Sequence, residues 1–210
     1  MAVASDALPI RVELHTFLCG SLPLPTQFKV KPAAAHSQVL VADAAVEGLD
    51  VLLRGLLPGT RLELVGPGDN PWPLLASLRT IPGLQQLHLL GHGRPGALRL
   101  GRVWLNQRWM RRLAPFGWAH PPQAICLWAC STGAGTAGRS FLQTLADGCG
   151  ARVFAADRPL GAADRGGSWT LNVQAEPRGA TGPPRPPTPP RPLTTPLLHR
   201  ARPAPPDPIP

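Results

Sequence analysis

The sequence predicts an α/β protein, a three-layer sandwich in which helices cover both faces of a mainly parallel sheet. Three observations lead there. Short β-rich apolar runs alternate along the chain with stretches of about ten residues whose apolar groups recur at helical spacing. Two runs, Leu84 to Leu90, whose second half is apolar but for His88, and Ala124 to Ala129, apolar throughout, read as strands buried on both faces. Each of these two delivers a chemically active residue, His92 within Gly91-His92-Gly93 and Cys130. Side chains just past the C-terminal ends of parallel strands leave the core and meet solvent and substrate.

Taken in order, residues 1–36 carry Pro9, Pro23, Pro25 and Pro32 with only short apolar patches such as Val12 to Leu18. A partly ordered lead-in with one edge strand at most is expected there. The domain itself is expected over residues 37–176. Val39-Leu40-Val41-Ala42-Asp43 is its first strand, followed by Ala45, Val46, Leu49, Leu52, Leu53 and Leu56 at helical spacing and closed by Pro58-Gly59. Arg61 to Val65 is the second strand, ended by Gly66-Pro67-Gly68-Asp69-Asn70, and a helix then runs from about Pro71 to Arg79. After the His92 strand, Gly93-Arg94-Pro95-Gly96 reads as a turn, and Ala97 to Leu105 alternates about Gly101-Arg102 as a small hairpin does. Asn106 is placed to cap a helix reaching Leu113. Beyond the Cys130 strand, residues 138–148 put Phe141, Leu142 and Leu145 on one helix face. Val153 to Asp157 and Trp169 to Val173 supply the last strands.

From Pro177 to Pro210, 14 of 34 residues are proline with no periodic apolar face, so residues 177–210 read as a disordered, polyproline-like tail. Five arginines of that tail face only Asp207, which leaves the remainder of a +9 chain mildly basic. Arg, Ala, Pro and Gly enrichment without a single Tyr also follows from GC-rich coding, so the charge argues little for a nucleic-acid partner. No run reaches the roughly 18 apolar residues of a membrane span. Met1 to Ser5 lack the basic start of a secretory signal, which leaves the cytoplasm or a signal-independent export route open. Cys19, Cys126, Cys130 and Cys149 suit thiols of a reducing compartment better than a disulfide framework.

The chemistry concentrates on His92 and Cys130. A cysteine attacks as thiolate and needs a nearby imidazole and access. Cys130 opens the small-residue run Ser131-Thr132-Gly133-Ala134-Gly135, which lets a substrate backbone approach, and the Gly93 amide is free to donate to a developing oxyanion. Three competing motifs fail. Gly91-His92-Gly93-Arg94-Pro95-Gly96 spells a dinucleotide fingerprint, yet Pro95 opposes a helix there and no Asp or Glu occurs between Gly93 and Gln123 to hold a ribose. His88/His92 and Cys126/Cys130 share zinc-like spacing, but residues four apart on a strand are separated by about 13 Å. Gly138-Arg139-Ser140-Phe141-Leu142 lacks the second glycine of a nucleophile elbow. His88 and Cys126 are expected inside the sheet, and Trp104, Trp109 and Trp118 among Arg99, Arg102, Arg108, Arg111 and Arg112 as buried indoles beside a solvated helix face.

Leu87-His88-Leu89-Leu90-Gly91-His92-Gly93 and Ile125-Cys126-Leu127-Trp128-Ala129-Cys130 resemble the signature strands of caspase-like (clan CD) cysteine peptidases, where one apolar strand ends in His-Gly and the next in Ala-Cys or Gly-Cys. Residues from about Gln38 to Asn172 more closely resemble a bacterial domain-of-unknown-function family, number 4347, often found at the N-terminus of giant cadherin-like or RTX-type surface proteins. The likeness lies in Val39 to Asp43, Leu57-Pro58-Gly59-Thr60, His92 to Leu98, Leu100-Gly101 before Trp104-Leu105-Asn106, Ala151 to Asp157, Gly161-Ala162-Ala163 and Gly166-Gly167-Ser168-Trp169. The resemblance implies a caspase-like fold with His92 as general acid/base, Cys130 as nucleophile, and the N–H groups of Gly93 and Cys130 as oxyanion hole. It implies a cysteine endopeptidase acting on its own chain or on another polypeptide, without cofactor or metal. The family's strand typically ends Gly-Cys-Asn where this chain has Ala129-Cys130-Ser131, which bears on substrate hydrogen bonding by Ser131. Trp128 stands where caspases carry Gln, so cleavage after Asp is not implied. Asp157 and Asp164 are candidates for an acidic pocket that would take a basic side chain. The alternative is a non-catalytic surface-protein module on the same fold, with an Arg-rich nucleic-acid binder behind it.

Overall fold

A computed structural model describes residues 37–113, 117–162 and 166–179, apart from the side chains of Arg112 and Leu113. The expected lead-in, Asp164 and the tail from residue 180 lie outside the described residues. In chain order the elements are β1 (Gln38–Asp43), α1 (Leu49–Arg54), β2 (Arg61–Val65), α2 (Trp72–Leu78), β3 (Gln86–Leu90), β4 (His92–Arg94) and β5 (Ala97–Leu100). There follow β6 (Val103–Asn106), α3 (Gln107–Leu113), β7 (Ala124–Trp128), α4 (Gly135–Cys149), β8 (Arg152–Ala155) and β9 (Val173–Ala175).

The six-stranded sheet has the order β2-β1-β3-β7-β8-β9. Every neighbouring pair is parallel except β8 with β9. Because side chains alternate across a strand, the sheet sorts its apolar residues into two layers. Val39, Val41, Leu87, Leu89, Ile125, Leu127 and Val153 face one side, where Leu78, Met110, Phe141, Leu142 and Leu145 of α2, α3 and α4 cover them. Leu40, Ala42, Leu90, Cys126, Trp128 and Phe154 face the other, covered by Leu49, Leu52 and Leu53 of α1 together with Leu56, Leu160 and Leu171. These contacts make the sandwich of the sequence reading, one side built of three helices and the other of a single short one.

Four boundaries differ from expectation, each for a local reason. The first helix begins only at Leu49, because the Asp43 carboxylate accepts from the Ala45 N–H at 2.9 Å and its carbonyl from Val46 N–H at 3.1 Å. That Asx-type turn occupies the residues that would have formed the first helical turn. The expected turn at residues 93–96 is shorter, since His92–Arg94 pairs with Ala97–Arg99 as β4 and adds a third strand to the hairpin of β5 and β6. Gly96 has φ of +76°, the value position i+2 of a type II turn requires after proline. Helix α4 starts three residues early, at Gly135. The last strand is Val173–Ala175 and not residues 169–173, because the Asn172 side chain bonds to Asp157, so pairing with β8 begins at Val173 opposite Ala155. The Asn106 cap is present, its Oδ1 accepting from Trp109 N–H at 3.0 Å.

Candidate active site

Parallel pairing of β3 with β7 ends at Leu90 opposite Trp128, and Gly91 N–H extends it by donating to Trp128 O at 3.2 Å. His92 and Cys130 are the residues that leave these adjacent strand ends. A Cβ built on Gly93 would lie 2.6 Å from Cys130 N and 2.7 Å from Ala129 C, so the residue after the histidine packs directly on the peptide before the cysteine. Only glycine permits that approach.

The hydrogen-bond pattern of the small sheet fixes where the Gly93 amide points. The two-residue turn Pro95-Gly96 makes Arg94 and Ala97 a hydrogen-bonded pair, which makes His92 with Arg99 the next such pair. Gly93 lies between them opposite Leu98 as a non-bonded pair, so its N–H points away from β5. Among the described residues the Cys130 N–H donates to no carbonyl either. Two unspent amides therefore belong to residues whose backbones touch.

His92 is exposed, and strand alternation sets it on the face of β4 that carries Arg94. Across the sheet it meets Arg99, which in turn faces Trp104, and the Arg94 guanidinium lies 4.3 Å from the Trp104 ring centroid. Behind Arg99 the fully buried Asp43 accepts from Gly101 N–H at 3.1 Å and stands 3.9 Å from the Arg99 Nε. A buried carboxylate needs such partners, and these bonds fasten β1 to the sheet that carries the histidine.

Cys130 is half-buried, and among the described residues its sulfur makes hydrogen bonds with one, Leu160 of the loop after β8. Leu160 N–H donates to Sγ at 3.4 Å, and the thiol in turn reaches Leu160 O at 3.7 Å. No hydrogen bond joins Cys130 to His92. The turn out of β7 is sharp: Ser131 has φ of +56°, the sole positive value at a non-glycine among the described residues. Its N–H donates to Arg158 O at 3.0 Å, Gly133 N–H donates to Ala156 O at 2.8 Å, and Ser131 O accepts from Ala134 N–H at 2.9 Å. The buried Thr132 hydroxyl donates to Ala129 O at 3.2 Å, and Thr132 O accepts from Gly96 N–H at 3.1 Å. The turn is thereby bound both to the loop beyond β8 and to the turn beyond β4. Left-handed backbone strains serine but not glycine, and asparagine tolerates it well. Ser131→Gly is expected to raise stability by about 0.5 kcal/mol, and Ser131→Asn to raise it slightly, in urea unfolding. A loss of more than about 1 kcal/mol in both variants would show that the hydroxyl, and not the backbone, holds this position.

The Asp157 Oδ1 takes bonds from Asn172 Nδ2 at 2.9 Å and Arg158 Nε at 3.2 Å, and these hold the exposed carboxyl below its ordinary range. Among the described residues its second oxygen takes no bond, and that oxygen is the one a basic side chain would meet. The other cysteines are chemically quiet by comparison. Burial pushes the Cys126 thiol up to about 12 and Cys149 up to about 11. His88 is fully buried beneath this site, where its Nδ1 accepts from Trp128 Nε1 at 3.0 Å. The indoles expected to be buried are only half-buried: Trp109, which meets Trp72 edge to face with centroids 5.7 Å apart, and Trp118 pack against the rim of the first core layer, and Trp104 lies against the Arg94 guanidinium.

Sequence reasoning missed Leu160 and Asp43. A backbone donor leaves no trace in residue type, so Leu160 announced nothing beyond an isolated apolar residue between Pro159 and Gly161. Asp43 did carry a signal, an acid closing an otherwise apolar strand.

The fold and this site define a mixed α/β domain with histidine and cysteine at neighbouring strand ends of a mainly parallel sheet. The model of the family described as Domain of unknown function (DUF4347) matches residues 39–183, and the chain belongs to that family. No curated protein matches the sequence.

Proposed function

We propose that the domain is a caspase-like cysteine endopeptidase in which Cys130 is the nucleophile and His92 the general acid/base. The observation that carries this reading is the seating of Gly93 on the Ala129–Cys130 peptide, which brings the residue after the base against the nucleophile's own backbone. In the reaction, Cys130 Sγ passes its proton to the His92 imidazole and bonds to the scissile carbonyl carbon. The negative oxygen that forms is received by the free N–H groups of Gly93 and Cys130. His92 then gives the proton to the departing amine as the carbon–nitrogen bond breaks, and water attacks the thioester to regenerate the thiol. Substrate is another polypeptide or the chain's own, with Ser131 and the open oxygen of Asp157 at the binding edge.

The test labels the protein with iodoacetamide and with peptidyl electrophiles, using Cys126 and Cys149 as internal standards. Cys130 is expected to react at least about 100-fold faster than either at neutral pH, with His92→Ala removing most of that advantage. Equal labelling of the three thiols, indifferent to His92, defeats the reading. One observation favours a second reading, a non-catalytic module of a surface protein: the sulfur is hydrogen-bonded to Leu160 and not to His92. Apo enzymes often show loose catalytic spacing, so that contact does not displace the first reading.

A further inference from the structure

We infer that the backbone N–H of Leu160 is the donor that stabilises the Cys130 thiolate, so that the loop after β8 sets the reactivity of the nucleophile. The inference rests on the peptidase reading of Cys130. Its basis is geometric. The Leu160 N–H donates to Sγ at 3.4 Å, and it is the one hydrogen bond donated to that sulfur among the described residues. A thiol and a thiolate answer this residue differently. In the thiol, Sγ–H also reaches Leu160 O at 3.7 Å. When the sulfur gives its proton to the base, that bond is lost, whereas the N–H bond becomes charge-assisted and strengthens. A donor that binds the ion more tightly than the neutral form favours ionisation.

The donor is also held in place before any reaction, which is what makes it useful. Pro159 fixes the backbone immediately before it, and Pro159 O accepts from Ser168 N–H at 3.2 Å. Arg158 O and Ala156 O accept from Ser131 and Gly133, the two residues flanking Thr132 just past the nucleophile. The Leu160 side chain packs into the second apolar layer with the residues of α1. The bond from Ser131 N–H to Arg158 O, at 3.0 Å, thus ties the loop to the residue that follows the nucleophile.

Replacing Leu160 by the corresponding α-hydroxy acid turns its amide into an ester, which deletes the N–H, leaves the side chain in place and weakens Pro159 O as acceptor of the Ser168 bond. The pH profile of Cys130 alkylation by iodoacetamide in the full chain is expected to move its midpoint up by about one unit, giving up to tenfold slower labelling near neutral pH. The alkaline plateau should be unchanged or raised. Leu160→Ala keeps the N–H and should keep the wild-type midpoint. A measurement on the wild-type protein needs no variant to fold: the Leu160 amide proton should shift downfield as Cys130 ionises, and the shift should vanish in Cys130→Ala. An ester variant with the wild-type midpoint, or a Leu160 amide blind to Cys130, overturns the inference while leaving a His92-dependent Cys130 intact. Labelling of Cys130 that ignores His92 instead removes the peptidase reading and leaves the amide titration to stand or fall alone.

Discussion

Gly93→Ala is expected to destabilise the domain by about 3 kcal/mol and to abolish the selective labelling of Cys130. The methyl would fall closest to the Cys130 carbonyl oxygen and stand 2.6 Å from Cys130 N and 2.7 Å from Ala129 C, all of them main-chain atoms that cannot rotate aside. Regaining ordinary contact at about 3.5 Å requires the two strand ends to part by about an ångström or more. Overpacking of this kind costs about 1–3 kcal/mol, and the upper end applies where backbone meets backbone. The displacement falls on the two amides proposed to receive the oxyanion, and in that reading a misplacement of this size lowers the rate by about 100-fold. Gly68→Ala is the control, because its Cβ would meet nothing within 4 Å, and it should change stability by less than about 0.5 kcal/mol. If urea unfolding finds Gly93→Ala as stable as Gly68→Ala, or its Cys130 still labels selectively, the packing of Gly93 is not what joins the two strand ends.

That coupling marks the limit of what the sequence could show. The strands of the main sheet were legible because Val39 to Ala42, Leu87 to Leu90 and Ala124 to Trp128 are apolar on both faces, and nothing but a covered parallel strand suits such runs. His92 and Cys130 were legible as strand-end residues for the same reason. Strand β4 was not, since His92-Gly93-Arg94 beside Pro95-Gly96 shows no apolar period, and pairing with Ala97–Arg99 alone creates it. The N-terminal turn of the first helix was misread because Ala45 and Val46 fit the helical period, while Asp43 offers the Ala45 amide its carboxylate and the Val46 amide its carbonyl. The bond from Leu160 and the strain at Ser131 are properties of the backbone in three dimensions, thirty residues apart for the first and conformational for the second. Residue type encodes neither. The Asp157 expectation was half visible: its position past β8 could be read, but not its engagement with Asn172 fifteen residues on.

The other large effect comes from His88, and it appears as a pH dependence. Burial lowers this imidazole from its ordinary 6.5 to about 4, and the ring is neutral with Nδ1 accepting from the Trp128 indole. Nε2 therefore carries the proton, buried and without a partner among the described residues. Protonating Nδ1 would sever the Trp128 bond and place a charge in the apolar layer between β3 and β7, the two strands that deliver His92 and Cys130. Between pH 6.5 and about 4 the unfolded chain takes up a proton that the folded one refuses, so stability falls as the pH is lowered through that window and levels off below it. The full loss is roughly 3 kcal/mol, large beside the total stability of an ordinary domain. Asp157 acts in the same direction but below its ordinary 3.8, outside the window, because its carboxyl is lowered. Urea unfolding at a series of pH values should show the fall in wild type and a markedly flatter profile in His88→Leu. That variant leaves the Trp128 indole unpaired and should be about 1–3 kcal/mol less stable than an otherwise matched core at every pH, which shifts its curve without restoring the slope. A wild-type profile that is flat from pH 7 to 4, or an equal slope in the variant, would show that His88 gains a proton as readily inside the sheet as outside it.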